Sequence, residues 1–353
     1  MKKILRFLLI LILVIVLAVG CLLGWLTATE FKPASTEEME VDNAVGIETL
    51  KSGEELHILS WNVGYGGLGK DSDFFMDGGK DARSADRDTV IRYLQGIAST
   101  IEERDAALVM LQEVDSNSSR TYSIDERDYL DEGMSTETYA LNYSCPFVPV
   151  PVPPIGKVNS GLLTLTDGLL IEHAQRHSLP CPFSWPLRIA NLKRCLLVSY
   201  LPVEGSEHQL VLINLHLEAY DDGEGKIAQT QQLRQFIQEE YQKGNYVIAG
   251  GDFNQTFPGS LDVFPIIDPG YWTPGVLENE LLDEGWRFAY DTAVPTCRLL
   301  NQPYDPSDTA HTQYYVIDGF ILSPNVELKS VATLDCGFEN SDHNPVELVA
   351  VLK

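Results

Sequence analysis

The sequence predicts an α/β sandwich in one domain, with sheets packed together and helices outside, standing behind a single apolar N-terminal segment. Short apolar runs of strand length recur from Leu56 onward, flanked by polar or Gly/Pro residues. Two stretches carry helical spacing. The run from Phe7 to Ala28 carries no charge at all.

That first run follows a basic start, Lys2, Lys3 and Arg6. As a helix it spans roughly 33 Å at about 1.5 Å per residue, enough for the hydrocarbon core of a bilayer. Positive charges on the short leading side, and Glu30 after the run, place the start in the cytoplasm and everything from about Phe31 outside. Two other readings stand beside a retained single-pass anchor. A cleaved signal peptide has a shorter apolar region, about 7–15 residues, and a small-x-small site, which Leu26 before Ala28 interrupts. A lipoprotein signal is suggested by Ala18-Val19-Gly20-Cys21, without the usual Leu three residues before the cysteine. All three put the remainder outside the cytoplasm.

Residues 29–54 are rich in Glu, Ser and Thr and show no sustained apolar period, which reads as a linker. The boundaries expected are therefore an anchor over 1–28, a linker over 29–54 and a folded domain over 55–353. Within that domain the strand-length runs are Leu56–Trp61, Ala107–Val114, Gly161–Leu165, Leu196–Leu201, Leu210–Leu217, Tyr246–Gly250, Val316–Leu322 and Val346–Leu352. Val90, Tyr93, Leu94, Ile97 and Ile101 form one helical stripe; Ile227, Leu233, Phe236 and Ile237 form a second, less regular one. A short Gly-containing turn between Leu201 and Gln209 suggests an antiparallel pair. A purely parallel sheet would need a helix at every crossover, and there are too few.

Lys plus Arg is 25 and Asp plus Glu is 51, a net charge of −26. This excludes a basic wrapper of duplex DNA, whose affinity comes from phosphate neutralisation. It leaves room for a nuclease whose site holds divalent cations, since the metal brings its own positive charge. Six cysteines are too few for a disulfide scaffold, and none forms a C-x-x-C pair. Cys145 and Cys181 each open a Cys-Pro-Phe triplet, and a bridge between them is one pairing open to the chain. Prolines at near-alternate positions over 145–155, and again over 180–188, force two extended loops. They read either as rigid loops on a sandwich edge or as an apolar rim that touches a substrate tail or a lipid surface.

Polar residues cluster where strands should end: Ser60-Trp61-Asn62, Leu111-Gln112-Glu113, Asn214-Leu215-His216, Gly250-Gly251-Asp252-Phe253-Asn254, Ile317-Asp318-Gly319 and Ser341-Asp342-His343-Asn344-Pro345-Val346. Singly, each is a turn residue, a solvated carboxylate or a structural histidine. Together they describe a polar cleft at one end of a sandwich. The ordered series W-N, Q-E-V, N-L-H-L, G-D-F-N, I-D-G-F-I-L and S-D-H-N-P-V resembles the endonuclease/exonuclease/phosphatase superfamily over about residues 56–353. That group includes DNase I, AP endonucleases, neutral sphingomyelinases, inositol-polyphosphate 5-phosphatases and deadenylases. The resemblance implies a DNase I-like fold, a four-layer α/β sandwich with two central mixed, mainly antiparallel sheets, and hydrolysis of a phosphoric ester with Mg²⁺, or Mn²⁺ or Ca²⁺, as cofactor.

It also implies roles. Glu113 with the amide oxygen of Asn62 would hold the metal, a hard cation that favours oxygen donors. Asp252 would orient or deprotonate the attacking water. Asn254, which shares a face with Asp252 if the backbone stays extended, and His216 would donate hydrogen bonds to phosphoryl oxygens. Asp342 and His343 are adjacent, so in extended backbone they point apart. His343 would then be oriented by Asp318, and Asp342 would face a metal. Gly64, Gly66, Gly67 and Gly69 suggest a loop in which Lys70 and Lys80 could meet phosphate, and Arg120 is a similar candidate for substrate. A flexible surface loop is an equal reading of that segment.

Val316-Ile317-Asp318-Gly319-Phe320 lacks the Trp and Arg that inositol 5-phosphatases carry there, and Gly319 stands where many members have Tyr. His216 leans towards DNase I-like, sphingomyelinase-like or deadenylase-like branches. The expected activity is a membrane-anchored, extracytoplasmic phosphodiesterase acting on nucleic acid or nucleotides. The alternatives are a sphingomyelinase-like enzyme acting on phospholipid head groups and, more remotely, an inactive surface binding module. The last should have lost a chemical residue, and none is missing. The sequence implies no protein partner.

Overall fold

Every apolar run from Leu56 onward becomes a strand. The computed structural model describes residues 1–43, 47–131, 133–221 and 223–353. In chain order the strands begin β1 (Thr36–Met39), β2 (Val41–Asn43), β3 (Glu55–Asn62), β4 (Leu108–Asp115), β5 (Thr136–Val148) and β6 (Gly156–Thr166). They continue β7 (His173–Ser178), β8 (Cys195–Pro202), β9 (Gln209–His216), β10 (Tyr246–Asp252), β11 (Gln255–Thr256) and β12 (Gly275–Val276). The last are β13 (Arg287–Ala289), β14 (Cys297–Arg298), β15 (Tyr314–Tyr315), β16 (Asp318–Leu322), β17 (Val326–Thr333) and β18 (Val346–Leu352). The helices are α1 (Lys2–Ala28), α2 (Arg87–Arg104), α3 (Arg127–Leu130), α4 (Glu224–Gln242) and α5 (Ser260–Val263).

Two 7-stranded sheets result, in the orders β1-β7-β8-β9-β10-β16-β13 and β17-β18-β3-β4-β6-β5-β2. β9 runs parallel to β10 and β3 parallel to β4; the other pairings within both sheets are antiparallel. Side chains alternate across a strand, and that alternation sorts the core into layers. On β4, Leu108 and Met110 enter the apolar layer between the sheets, while Val109 and Leu111 face α2. On β9, Leu210 and Leu212 enter the central layer, while Val211, Ile213 and Leu215 lie with Leu233 and Ile237 of α4. The order helix, sheet, sheet, helix is the expected four-layer sandwich. Each fully buried Leu, Ile or Val in these layers contributes roughly 1.5–3 kcal/mol.

α2 forms because its whole stripe, Val90, Tyr93, Leu94, Ile97 and Ile101, is buried on the second sheet. Asp86 caps its start by accepting from the Thr89 N–H at 2.7 Å, and Asp105 at φ 50° ends it. α4 departs from expectation at one point: Ile227 is exposed. The inward positions of its first turns are Lys226 and Gln229 instead. Lys226 Nζ donates to Ala219 O at 2.7 Å, and Gln229 accepts from the Glu218 N–H at 2.9 Å, so this end of α4 holds the loop that follows β9.

The segment expected as a linker is woven into the sandwich. Residues 44–46 of it lie outside the described residues. β1 forms an edge of the first sheet on β7, and β2 an edge of the second sheet on β5. Glu48 and Leu50 then make parallel bridges to Leu169 and Val203. Edge strands need little apolar surface because backbone pairing holds them, which is why composition gave no sign of them. α1 is long and apolar enough to cross a membrane, with a mean hydropathy of 3.3 over its most apolar window. All six cysteines are free, so the Cys145–Cys181 bridge does not form.

Candidate active site

Register places three of the site residues side by side. β10 pairs Asp252 with His216 of β9 on one side and with Asp318 of β16 on the other. Gly251 makes this pairing close: its φ is +139°, and a Cβ there would lie 2.0 Å from Leu215 O. The second sheet supplies Asn62 at the end of β3, opposite Gln112 on β4. Glu113 has φ 58° and sits in the register shift between Leu111 and Val114. That β-bulge turns its carboxylate out of the β4 ladder and into the cleft.

The side chains converge on one oxygen, Asp252 Oδ2. Asn62 Nδ2 donates to it at 3.0 Å and to Glu113 Oε1 at 3.3 Å. His216 Nε2 stands 3.4 Å from it and 3.9 Å from Glu113 Oε1. His343 Nε2 stands 3.8 Å from it and 4.0 Å from Asp342 Oδ2. His343 Nδ1 donates to Asp318 Oδ2 at 2.9 Å. Asn62, Glu113, His216, Asp252, Asp318, Asp342 and His343 therefore share one cleft, and all but the half-buried Glu113 are buried.

Asn254 differs from expectation. Its φ of 50° breaks the extended run after Asp252, so the two do not share a face by strand alternation. Its backbone N–H donates to Asp252 Oδ1 at 2.8 Å, and its side-chain amide donates to Leu217 O at 2.9 Å. Asn254 thus also ties the end of β10 to the loop after β9.

Electrostatics separates the two histidines. Burial, reinforced by Arg194 and His343, pushes His216 well below its ordinary value and keeps it neutral. Burial also opposes charge on His343, but Asp318, Cys297 and Asp342 outweigh it and hold the imidazole well above the usual range. Asp252 is pushed up to about 7 by burial and by the neighbouring Asp318. Asp342 is pushed up to about 7 by burial, with Glu113 adding repulsion.

These carboxylates fit a divalent cation. Glu113 and Asp342 offer hard oxygen donors whose mutual repulsion a cation would relieve. The Asn62 amide oxygen accepts from the Gly64 N–H at 3.1 Å and keeps a second lone pair. Asp252, Asp318 and His343 also lie within ligating reach of one another, as do Cys297, Asp342 and His343. The hydrogen bond to Asp318 already accounts for the first group. In the second, burial pushes the Cys297 thiol up to about 12, so it is a poor ligand for a hard ion.

The supporting residues were less visible in the sequence. The Gln112 amide donates to Asn214 Oδ1 at 2.8 Å, and Asn214 donates to Leu111 O and Leu163 O at 3.1 and 3.0 Å. This buried amide pair joins the two sheets beneath the cleft. Trp61 Nε1 donates to His343 O at 2.8 Å, and the Ser341 hydroxyl to Asn62 O at 2.7 Å. Thr296 Oγ1 accepts from the N–H groups of Ile317 and Asp318 at 2.9 and 3.1 Å. Gln112, Asn214, Trp61 and Ser341 fall within the motifs; Thr296 carried no signal.

Arg120 does not reach the cleft as a free cation. It is buried, with Nε and Nη2 on the two Asp115 oxygens at 2.9 and 2.8 Å and its guanidinium over the Tyr65 ring. Lys70 is paired with Glu339 at 2.6 Å. Lys80 is exposed, and its backbone N–H donates to Asp73 Oδ1 at 2.8 Å. The glycine segment is packed down: a Cβ on Gly64 would lie 2.8 Å from Asp342 Oδ1, and Gly69 O accepts from Arg298 at 2.9 Å. At Gly319 a Cβ would lie 2.7 Å from the Phe257 ring, which fills the space a larger residue would take.

Solved structures share this architecture. An endonuclease/exonuclease/phosphatase from Beutenbergia cavernae aligns over 84% of this chain and 72% of its own, at 16% identity and TM-score 0.56. A family protein from Bacteroides thetaiotaomicron aligns over 85% of this chain and 98% of its own, at 15% identity and TM-score 0.52. TDP2 from Caenorhabditis elegans aligns over 85% and 75%, at 16% identity and TM-score 0.50. At these identities the likeness is one of fold. A search of curated protein sequences finds no match. The family model for the endonuclease/exonuclease/phosphatase family matches residues 59–343, and these bounds take in every strand end that meets at Asp252, so the chain belongs to that family, whose members are in general metal-dependent phosphoesterases and nucleases.

Proposed function

We propose that this protein is a divalent-metal-dependent phosphoric ester hydrolase, a phosphodiesterase. In this reading α1 is a single-pass anchor with its start in the cytoplasm, and the catalytic domain, with its edge strands β1 and β2, lies outside. The observation that carries the chemistry is the convergence of Asn62, His216 and His343 on Asp252, with Asp318 behind His343.

A divalent ion, Mg²⁺ or else Mn²⁺ or Ca²⁺, held by Glu113, Asp342 and the Asn62 amide oxygen would polarise the phosphoryl group and stabilise the departing oxyanion. Asp252 orients the attacking water and takes its proton. Its elevated value, about 7, makes it a better base at neutral pH than an ordinary aspartate. His343, kept protonated by Asp318, donates from Nε2 to a phosphoryl oxygen as negative charge develops there. Neutral His216 contributes a second donor, and the remaining Asn254 N–H a third. Donors fixed before the reaction need no reorganisation during it.

Two substrate classes follow from this chemistry. Nucleic acid or nucleotides are the first, the fold being shared with TDP2 and with nucleases. A phospholipid head group is the second. The net charge of −26 disfavours a long polyanion, and the packing of α1 against the loop after β5 and Ile189 favours an ester presented at a membrane. The test is an assay of the full-length protein in nanodiscs against plasmid DNA, RNA, sphingomyelin and a bis-aryl phosphodiester, with each of the three metals. Hydrolysis abolished by EDTA and by Glu113→Ala is expected. Activity that survives either treatment refutes the metal role.

A further inference from the structure

The strand ends fix where the cleft lies, and the membrane helix meets the domain at that same end. β8 runs antiparallel to β9, with Leu196 opposite Leu215, so the start of β8 is level with His216. Just before it, Lys193 and Arg188 reach Glu30, two residues beyond α1, at 3.6 and 2.8 Å. The Glu30 carboxylate is 1% exposed, and Arg188, with Lys193 and Lys32, holds it below its ordinary value against the effect of burial. Arg194, the next residue, donates to His216 O at 3.4 Å. On the other sheet, Asp115 pairs with Ser160, so Gly156, the start of β6, lies four residues beyond Asp115 at the Glu113 end of β4. The proline loop 149–155 lies just beyond that point.

Both loops surround the exit of α1. Leu22, Leu23 and Leu26 pack with Cys145, Val148, Ile155 and Ile189, and Trp185 Nε1 donates to Thr27 Oγ1 at 3.1 Å. The outer sides of the loops remain apolar and uncovered. Val150 is 61% exposed, Val152 92%, Trp185 54% and Leu187 66%. A cavity of about 370 Å³ opens beside the second loop, lined in part by Glu30, Lys32, Arg188, Lys193 and Arg194. Aliphatic tips, a tryptophan and two exposed cations, Lys32 and Arg188, at the foot of a hydrophobic helix match the interfacial zone of a bilayer. The chain as a whole carries a net charge of −26, which gives it no general affinity for an anionic surface.

We propose that loops 149–153 and 184–188 form a seat on the outer face of the bilayer, so that the catalytic domain stands with its cleft end at the lipid surface. Val150 and Val152 enter the acyl boundary from one side of α1, Trp185 and Leu187 from the other, and the exposed Lys32 and Arg188 side chains meet lipid phosphates. The Glu30 clamp makes the helix and the domain one unit, so the domain does not hang on a free tether. The proposal rests on α1 spanning the membrane, not on the reaction.

The experiment uses the full chain in phosphatidylcholine–phosphatidylglycerol nanodiscs, with benzoylphenylalanine placed in turn at Val152, Leu187, Leu13 and Glu207. Glu207 lies in the turn at the opposite end of β8. Irradiation followed by mass spectrometry counts lipid adducts. Adducts at both Val152 and Leu187 are expected at more than tenfold the level at Glu207, with Leu13 strongly labelled. Labelling at Leu13 with neither or only one loop above Glu207 overturns the seat and leaves the anchor standing. No labelling at Leu13 overturns the anchor and the seat together.

Discussion

Asp318 Oδ2 accepts from Nδ1 of His343 at 2.9 Å, which leaves Nε2 as the face of the ring turned to Asp252. Backbone register produces this relationship. Asp318 is held by β16 opposite Asp252, while His343 arrives on the segment leading into β18, far away in sequence but pinned by Trp61 and by Arg298, whose N–H donates to Asp342 O at 3.0 Å. The neighbouring Asp342 does not orient the ring. Its Oδ2 is 4.0 Å from Nε2, on the cleft side.

Asp318→Asn removes the charge that holds His343 protonated and keeps the side chain nearly isosteric. Turnover should fall by roughly 10²–10⁴-fold, the span of general acid–base effects. Thermal unfolding should stay close to the parent, because the Asp318 N–H still bonds Thr296 Oγ1. The sign of the pH effect is fixed: without Asp318 the His343 value falls, so the alkaline limb of the rate profile moves to lower pH. A variant with full turnover, or one whose alkaline limb stays in place, removes Asp318 from the mechanism.

Asp252 and Asp342 should make binding of the proposed metal pH-dependent. Each is pushed up to about 7 by burial, with Asp318 and Glu113 respectively adding repulsion. A cation requires the ionised form of Asp342, so below about pH 7 a proton must leave as the metal enters. Affinity should therefore weaken as pH falls from 8 to 5.5, by up to about tenfold per unit for each proton displaced. Isothermal titration of Mg²⁺ and Mn²⁺ in buffers of different ionisation enthalpy measures both affinity and protons released. Constant affinity over that range, with no proton released, would place the ion away from Asp342.

The polar cleft is legible because its residues stand at strand ends, where apolar alternation stops and a polar side chain is conspicuous. Glu113 and His343 announce themselves this way. The layers were legible for the same reason: alternation along β4 and β9 assigns each side chain to a face. What the sequence hides is held by backbone. β1 and β2 bring only one apolar residue each, Met39 and Val41, to the central core and rest on pairing at sheet edges. Thr296 works through one hydroxyl on two N–H groups, which leaves no periodic trace. Asn254 was misplaced because two-residue spacing implies a shared face only while φ stays negative. Arg120 is hidden for a different reason: a cation seven residues beyond Glu113 looks free until its acid partner, Asp115, is seen beside it.

Arg120 is accordingly a structural cation, and its removal should be felt in stability. Its guanidinium grips both oxygens of the fully buried Asp115 and lies 3.6 Å from the centre of the Tyr65 ring. Thr121 Oγ1 adds a further donor to Asp115 Oδ2 at 3.2 Å. Arg120→Leu leaves that carboxylate buried without its cation, a loss of about 3–5 kcal/mol. Asp115→Leu should cost a similar amount by stranding Arg120. The double replacement leaves no buried charge at the pair and should recover a large part of either loss, since apolar substitutes for a buried pair are often neutral. Denaturant unfolding of the three variants measures this coupling. KM towards the bis-aryl phosphodiester, taken on the folded fraction, should stay within about twofold of the parent, well under the 1.4 kcal/mol that a tenfold change represents. A tenfold rise in KM with unchanged unfolding would instead return Arg120 to the substrate.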